Sequence, residues 1–131
     1  MVPGHEIVGT VSAIGDNVTK YKVGDKVGVG CLINSCRTCP DCKAGEEQYC
    51  DEKILTYNSH DPISGELNQG GYADHIVVNE DFVLRIPNNL DLKATAPLLC
   101  AGITTYSPLK HWQVNQHSTV GVVGLGGLGH M

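Results

Sequence analysis

The sequence predicts a mainly β protein with some α: an antiparallel barrel of short strands with a metal-binding lobe set into it, followed by the first strand of an α/β unit. Three observations carry that prediction. Short β-branched runs separated by Gly, Asn and Asp turns fill most of the first ninety residues. Four cysteines fall within fifteen consecutive residues. Near the end, an apolar run leads into a glycine-rich hexapeptide.

The elements follow in order. Residues 6–14 (Glu-Ile-Val-Gly-Thr-Val-Ser-Ala-Ile) are rich in β-branched residues and stop at the turn signal Gly15-Asp16-Asn17. A second turn, Gly24-Asp25, precedes a strand over 26–30. Residues 58–71, with Asn58, Asp61, Pro62, Gly65, Gly70 and Gly71, read as loop. Tyr72–Val78 and Phe82–Ile86 read as two strands joined by the polar turn Asn79-Glu80-Asp81. Asp91 is an N-cap candidate for an apolar helical stretch through Leu92, Ala96, Leu98, Leu99 and Ile103, broken near Pro97. A further helix is expected over 104–111, and Ser118–Val123 reads as a buried strand.

The cysteines Cys36, Cys39, Cys42 and Cys50 form a C-x2-C-x2-C-x7-C run. That spacing suits one tetrahedral zinc; four thiolates close the coordination sphere, so such a site stabilises and does not catalyse. A disulfide framework or free thiols is the plainer alternative. The absence of a secretory segment favours zinc and a cytoplasmic setting, where thiols stay reduced.

Bulk properties exclude several classes. The chain has 131 residues, 41% hydrophobic and 18% charged, which is a globular composition. Its net charge of −5, with no Lys/Arg cluster, argues against nucleic acid, whose binding rests on neutralised phosphates. No run of eighteen apolar residues is present, so no membrane span is expected.

Gly124-Leu125-Gly126-Gly127-Leu128-Gly129 is a G-x-G-x-x-G directly after the expected strand. Such a loop turns tightly, approaches a pyrophosphate closely and offers a helix N-terminus to it. Glycine-rich turns also arise for many other reasons. The residue that would select NAD or NADP lies about 20 positions further on, beyond Met131. His5-Glu6, taken as a dipeptide, is better explained as a partly buried His beside a surface Glu than as a metal site. Cys100, alone in an apolar helix, reads as core packing.

Together these motifs form a pattern. Gly4-His5-Glu6, two residues, Gly9, five residues, Gly15, two residues and Val18 resemble the signature of zinc-containing medium-chain alcohol dehydrogenases. The Cys36–Cys50 lobe is similar to that family's structural zinc site. Cys100 and the Gly124–Gly129 loop fall where its second catalytic-zinc Cys and its cofactor loop are expected. Val27–Cys31 and Pro97–Pro108 most resemble the cinnamyl-alcohol dehydrogenase and broad aldehyde reductase branch.

The resemblance implies a GroES-like barrel over residues 1–90, with the zinc lobe at about 31–52. Residues 91–131 would hold joint helices and the start of a Rossmann α/β domain. His5 and Cys100 would be catalytic-zinc ligands, with Glu6 beside the metal as a neighbour or occasional ligand. Thr104 and Gly124–Gly129 would meet the cofactor, NADP(H) by branch. The substrate would be a small alcohol or aldehyde, and the parent enzyme a homodimer. The family's third zinc ligand is a Cys well upstream of the His-Glu pair, and Met1–Gly4 hold no counterpart; Cys31 is expected to be a packed or unpaired thiol. Both ends are expected to be cut ends of a longer enzyme, leaving an isolated chain that binds zinc without turnover. A metal-free quinone-reductase relative would share the barrel and glycine loop, but would need none of these ligands. The remaining histidines, His60, His75, His111, His117 and His130, are expected at the surface, and Trp112 at the domain joint.

Overall fold

The chain is described by a computed structural model covering residues 1–131. Its first strand, β1 (Ile7–Thr10), pairs antiparallel with β2 (Lys26–Val29) in the register Ile7↔Val29 to Thr10↔Lys26. The far edge of β2 takes β5 (Leu84–Arg85), giving the sheet order β1-β2-β5. A second antiparallel pair, β3 (Leu32–Asn34) with β4 (Ile54–Leu55), forms the neck of the cysteine lobe. Inside the lobe lie one helical turn, α1 (Pro40–Lys43), and a 3-10 turn at Glu47–Tyr49.

The helical part begins where Asp91 places it. The Asp91 carboxylate accepts the Ala94 amide at 3.0 Å and caps α2 (Leu92–Thr95). Pro97 sits in a 3-10 segment, Ala96–Leu99, that separates α2 from α3 (Ala101–His111). That 3-10 segment rests on two bare positions, Gly28 in β2 and Gly30 just after it. A Cβ on Gly28 would lie 2.9 Å from a Leu99 methyl, and one on Gly30 would lie 2.9 Å from the Leu99 carbonyl oxygen. Only glycine admits so close an approach.

Three expectations need correction. Tyr72–Val78 is not a strand: Ala73–Val78 make no backbone hydrogen bonds, and β1 pairs only with β2. The segment instead faces Ile7–Ile14 across a groove of about 390 Å³. Its alternation is that of a strand, but a ladder also needs a facing edge in register. His75 is accordingly an exposed loop residue. Phe82–Ile86 is a strand only at Leu84–Arg85, preceded by a 3-10 turn at Glu80–Phe82. Ser118–Val123 is neither strand nor buried, because no segment pairs with it and its valines face solvent. Trp112 is 76% exposed and meets the His111 ring edge-on at 5.0 Å. The other histidines are exposed, as expected.

Polar contacts fasten the lobe and the turns to one another. The Glu80 carboxylate accepts the Thr19 and Lys20 amides at 3.0 and 2.8 Å. Asp81 pairs with the Lys20 ammonium, and at 2.8 Å with the guanidinium of Arg37, which lies in the cysteine lobe. The Lys20 hydrogen bond draws the Asp81 carboxyl below its ordinary 3.8 against an opposing desolvation, helped by the charges of Lys20 and Arg37. A lowered folded-state pKa means stability that is present above the ordinary value and lost as pH falls through the lowered one. The difference in urea midpoint between wild type and Asp81→Asn is therefore expected at pH 5–7 and should shrink below about pH 3.8.

The N-terminal arm is held by glycine contacts. Gly70, Gly71 and Tyr72 donate their amides to the carbonyls of Val2, Gly4 and Pro3 at 2.7, 3.0 and 3.0 Å. A Cβ on Gly70 would lie 2.6 Å from the Pro3 carbonyl carbon and closer still to the Gly4 oxygen. Both are backbone atoms and cannot step aside. Gly70→Ala is expected to cost about 1–3 kcal/mol in urea unfolding. Gly9→Ala, with nothing within 4 Å of its added methyl, should change stability by less than about 0.5 kcal/mol.

Candidate metal centres

The first centre is the lobe. Cys36, Cys39, Cys42 and Cys50 bring four sulfurs within 4.8 Å of one another. Zinc–sulfur bonds of about 2.3 Å in a tetrahedron put sulfurs about 3.8 Å apart, and the Cys36 and Cys42 sulfurs stand at 3.9 Å. Backbone amides point at the sulfurs: Cys39 N–H to Cys36 Sγ at 3.3 Å, and Cys42 N–H to Cys39 Sγ at 3.4 Å. Such donors stabilise thiolate charge and orient it. The two x2 spacings produce these bonds, because each cysteine begins a tight turn that returns its third amide to the sulfur. Cys50, 1% exposed, closes the set from the 3-10 turn. Four soft donors with amide support and no disulfide fit zinc.

As free thiols, Cys36 and Cys39 do not titrate alike. The amides of Thr38 and Cys39 and the Thr38 hydroxyl draw Cys36 down to about 6. At Cys39 the Cys42 amide also pulls downward, but desolvation and the neighbouring thiols of Cys42, Cys36 and Cys50 outweigh it and push the group up to about 12.

The second centre gathers residues from three distant parts of the chain. His5, Cys31 and Cys100 place a ring nitrogen and two sulfurs within 4.8 Å of one another. His5 arrives on the arm held by Gly70–Tyr72, and its ring lies 5.9 Å from that of Tyr57. Cys31 follows β2; Thr56, almost fully buried, holds it by donating its hydroxyl to the Gly30 carbonyl and its amide to the Cys31 carbonyl at 3.0 Å. Cys100 follows Leu99, so the Leu99 contact with Gly28 and Gly30 carries Cys100 towards Cys31. Desolvation, followed by the Cys100 thiol, pushes Cys31 up to about 11.

Glu6 stands beside this group without joining it. Its carboxylate accepts the Ala101 amide at 3.0 Å at the start of α3, tying the arm that carries His5 to the helix that follows Cys100. Thr104 is exposed on α3, its amide bonded to the Cys100 carbonyl at 2.9 Å. Gly124–Gly129 forms a turn with Gly124 at φ +91°. The chain then returns to α3, where Met131 comes within 3.6 Å of the position a Cβ would take on Gly102.

Cys31, expected from the sequence to be a packed or unpaired thiol, stands beside His5 and Cys100. The signal was present in Gly28-x-Gly30-Cys31: a strand bare on one face accepts a neighbouring segment closely, and a cysteine at its end meets whatever that segment delivers. Reading it required knowing that the partner was Leu99-Cys100.

With fold and sites described, comparison with known proteins places the chain. The profile of the alcohol dehydrogenase GroES-like domain matches residues 1–88. The chain belongs to that family. It is 59% identical, over its whole length, to NADP-dependent alcohol dehydrogenase C 1 of Mycolicibacterium smegmatis, and 59% identical over 99% of its length to the aldehyde reductase YahK of Escherichia coli. It spans 38% of the length of each. The structure of CAD from Helicobacter pylori complexed with NADP(H) superposes with a TM-score of 0.97 at 50% identity, covering all of this chain and 38% of that one. A cinnamyl alcohol dehydrogenase of Sorghum bicolor gives 0.96 at 52% identity, covering 99% and 37%. The resemblance to the cinnamyl-alcohol dehydrogenase and aldehyde reductase branch therefore holds. No helix of the chain is long and apolar enough to cross a membrane.

In the reduced, metal-free chain at pH 7, Cys36 should be alkylated by iodoacetamide before Cys39 and Cys31, because its thiol is drawn down to about 6 while theirs are pushed up. Exposure alone would put Cys31 first, so peptide mapping separates the two causes.

Proposed function

We propose that this chain is the metal-binding part of a zinc-dependent oxidoreductase that transfers hydride between NADP(H) and a primary alcohol/aldehyde pair. One observation carries the reading: His5 and Cys100, ninety-five residues apart in sequence, meet with donor atoms within 4.8 Å of each other. Chance packing seldom brings a histidine and a thiol together at the joint of a sheet and a helix, beside a carboxylate bonded to that helix. The names of the similar proteins support the cofactor and the substrate class.

His5 and Cys100 would hold the metal, which would supply Lewis-acid chemistry at the substrate oxygen, and hydride chemistry would come from the nicotinamide. The chain's own residues prepare this. Glu6, by accepting the Ala101 amide, keeps those two ligands in mutual register. Thr104 and the Gly124–Gly129 loop are assigned to the cofactor, the loop amides to its pyrophosphate. The Cys36–Cys50 site is closed and holds the lobe together. Because that site is complete within the lobe, a second reading has its own support: taken alone, the 131-residue chain is a zinc-binding module without turnover.

The test is a chimera in which these 131 residues replace the matching part of the Mycolicibacterium smegmatis relative. It should reduce aldehydes with NADPH. His5→Ala or Cys100→Ala should lower kcat/KM by at least about a thousandfold while the lobe zinc stays bound, as loss of a catalytic-metal ligand requires. A chimera with a loaded lobe and no activity would sink the catalytic reading. The 131-residue chain alone is expected to hold one zinc tightly and to oxidise no alcohol with either nicotinamide.

A further inference from the structure

We propose that Cys31 and Cys100 form a thiol–disulfide exchange site, which accepts a small-molecule disulfide such as oxidised glutathione and closes into a Cys31–Cys100 disulfide. The inference goes beyond the catalytic reading and gives Cys31 no part in holding a metal. Cys31 is the exposed member of the six free cysteines, and the hydride chemistry makes no use of it. Its sulfur lies within 4.8 Å of the Cys100 sulfur. A surface thiol with a second thiol so near has an internal partner for exchange.

The backbone holds the two cysteines in place without help from their sulfurs. Thr56 donates its hydroxyl to the Gly30 carbonyl and its amide to the Cys31 carbonyl. On the facing side, the Leu99 carbonyl oxygen comes within 2.9 Å of where a Gly30 Cβ would stand. Cys31 and Cys100 each lie one residue beyond that contact. A disulfide sets its sulfurs about 2.05 Å apart, so the gap to close is at most about 2.8 Å. Rotation of one cysteine to its next staggered χ1 well carries its sulfur about 3 Å. The bond is thus in range of side-chain rotation.

The exchange balances. The Cys31 thiolate attacks one sulfur of the small disulfide, whose S–S bond breaks. One glutathione thiolate leaves, and a mixed disulfide stands on Cys31. The Cys100 thiolate then attacks the Cys31 sulfur and expels the second glutathione. The two chain thiols give up two electrons and two protons, and the small disulfide takes them and departs as two thiols. Where Cys100 serves a metal, closing this bond withdraws that donor, and reduction returns it.

The test uses the full 131-residue chain, reduced and carrying one zinc to occupy the Cys36–Cys50 lobe. Desolvation and the Cys100 thiol push Cys31 up to about 11, so exchange with oxidised glutathione is run at about pH 8.5 to supply thiolate. The mixture is quenched with iodoacetamide and mapped by tandem mass spectrometry. Wild type should lose about two mass units and retain no glutathione, with Cys31 joined to Cys100. Dithiothreitol should restore the reduced mass. Cys100→Ser should stop one step earlier, with a single glutathione on Cys31, and far-UV circular dichroism confirms that this variant is folded.

A wild type that keeps glutathione on Cys31 without closing the ring would overturn the proposal. So would a link from Cys31 to Cys36 in the lobe, or no reaction at Cys31 and Cys100. The same two-unit loss in Cys100→Ser would overturn it as well, since the link would then lie elsewhere.

Discussion

Leu99 lies on two glycines at the end of β2, and the rest of the molecule is arranged around that contact. Gly28 and Gly30 remove the side chains that would hold the 3-10 segment away. The sheet and the helices therefore meet almost backbone to backbone. Because Cys31 follows Gly30 and Cys100 follows Leu99, this packing contact also sets the distance between two cysteines. A methyl on Gly28 would act on steric grounds alone, yet it would separate thiols that it never touches.

The sequence disclosed the parts whose chemistry is local. The cysteine lobe was legible because sulfur spacing and tight turns determine each other within fifteen residues. Asp91 was legible as a cap because one side chain satisfies one amide three residues away. Tyr72–Val78 and Ser118–Val123 misled for a shared reason. Alternation and β-branching report what a segment can do, whereas a strand exists only where a second edge accepts its hydrogen bonds. The surroundings of Cys31 were hidden on the same principle: its neighbours come from residues 5 and 100, and no local pattern records that. His5 and Cys100 became legible only through resemblance, since as a dipeptide and a lone thiol the plainer readings favoured packing.

The molecule relies on few buried side chains. Eight of the 131 residues are buried, in a chain that spans 38% of the length of the relatives it matches. The four-cysteine lobe has one fully buried member, Cys50, and reaches the rest of the chain through Arg37 and Asp81. A metal bound there would contribute folding free energy directly. The same lobe is kept soluble by charged residues such as Asp41, Lys43, Glu46 and Glu47.

The pairing of the N-terminal arm with residues 69–72 has a kinetic consequence. Val2 and Gln69 are joined across 67 residues, whereas Cys36 and Cys50 close a loop of fourteen. Loop-closure entropy makes the longer ring about 1.4 kcal/mol costlier to form. The lobe can therefore assemble early from its own local turns, while His5 waits for a contact that spans half the chain. Contacts of long sequence separation form slowly, so the four-cysteine lobe would gather before His5, Cys31 and Cys100 come together. A chain organised in this way closes its locally spaced thiols into one group while the most exposed thiol, Cys31, still stands apart.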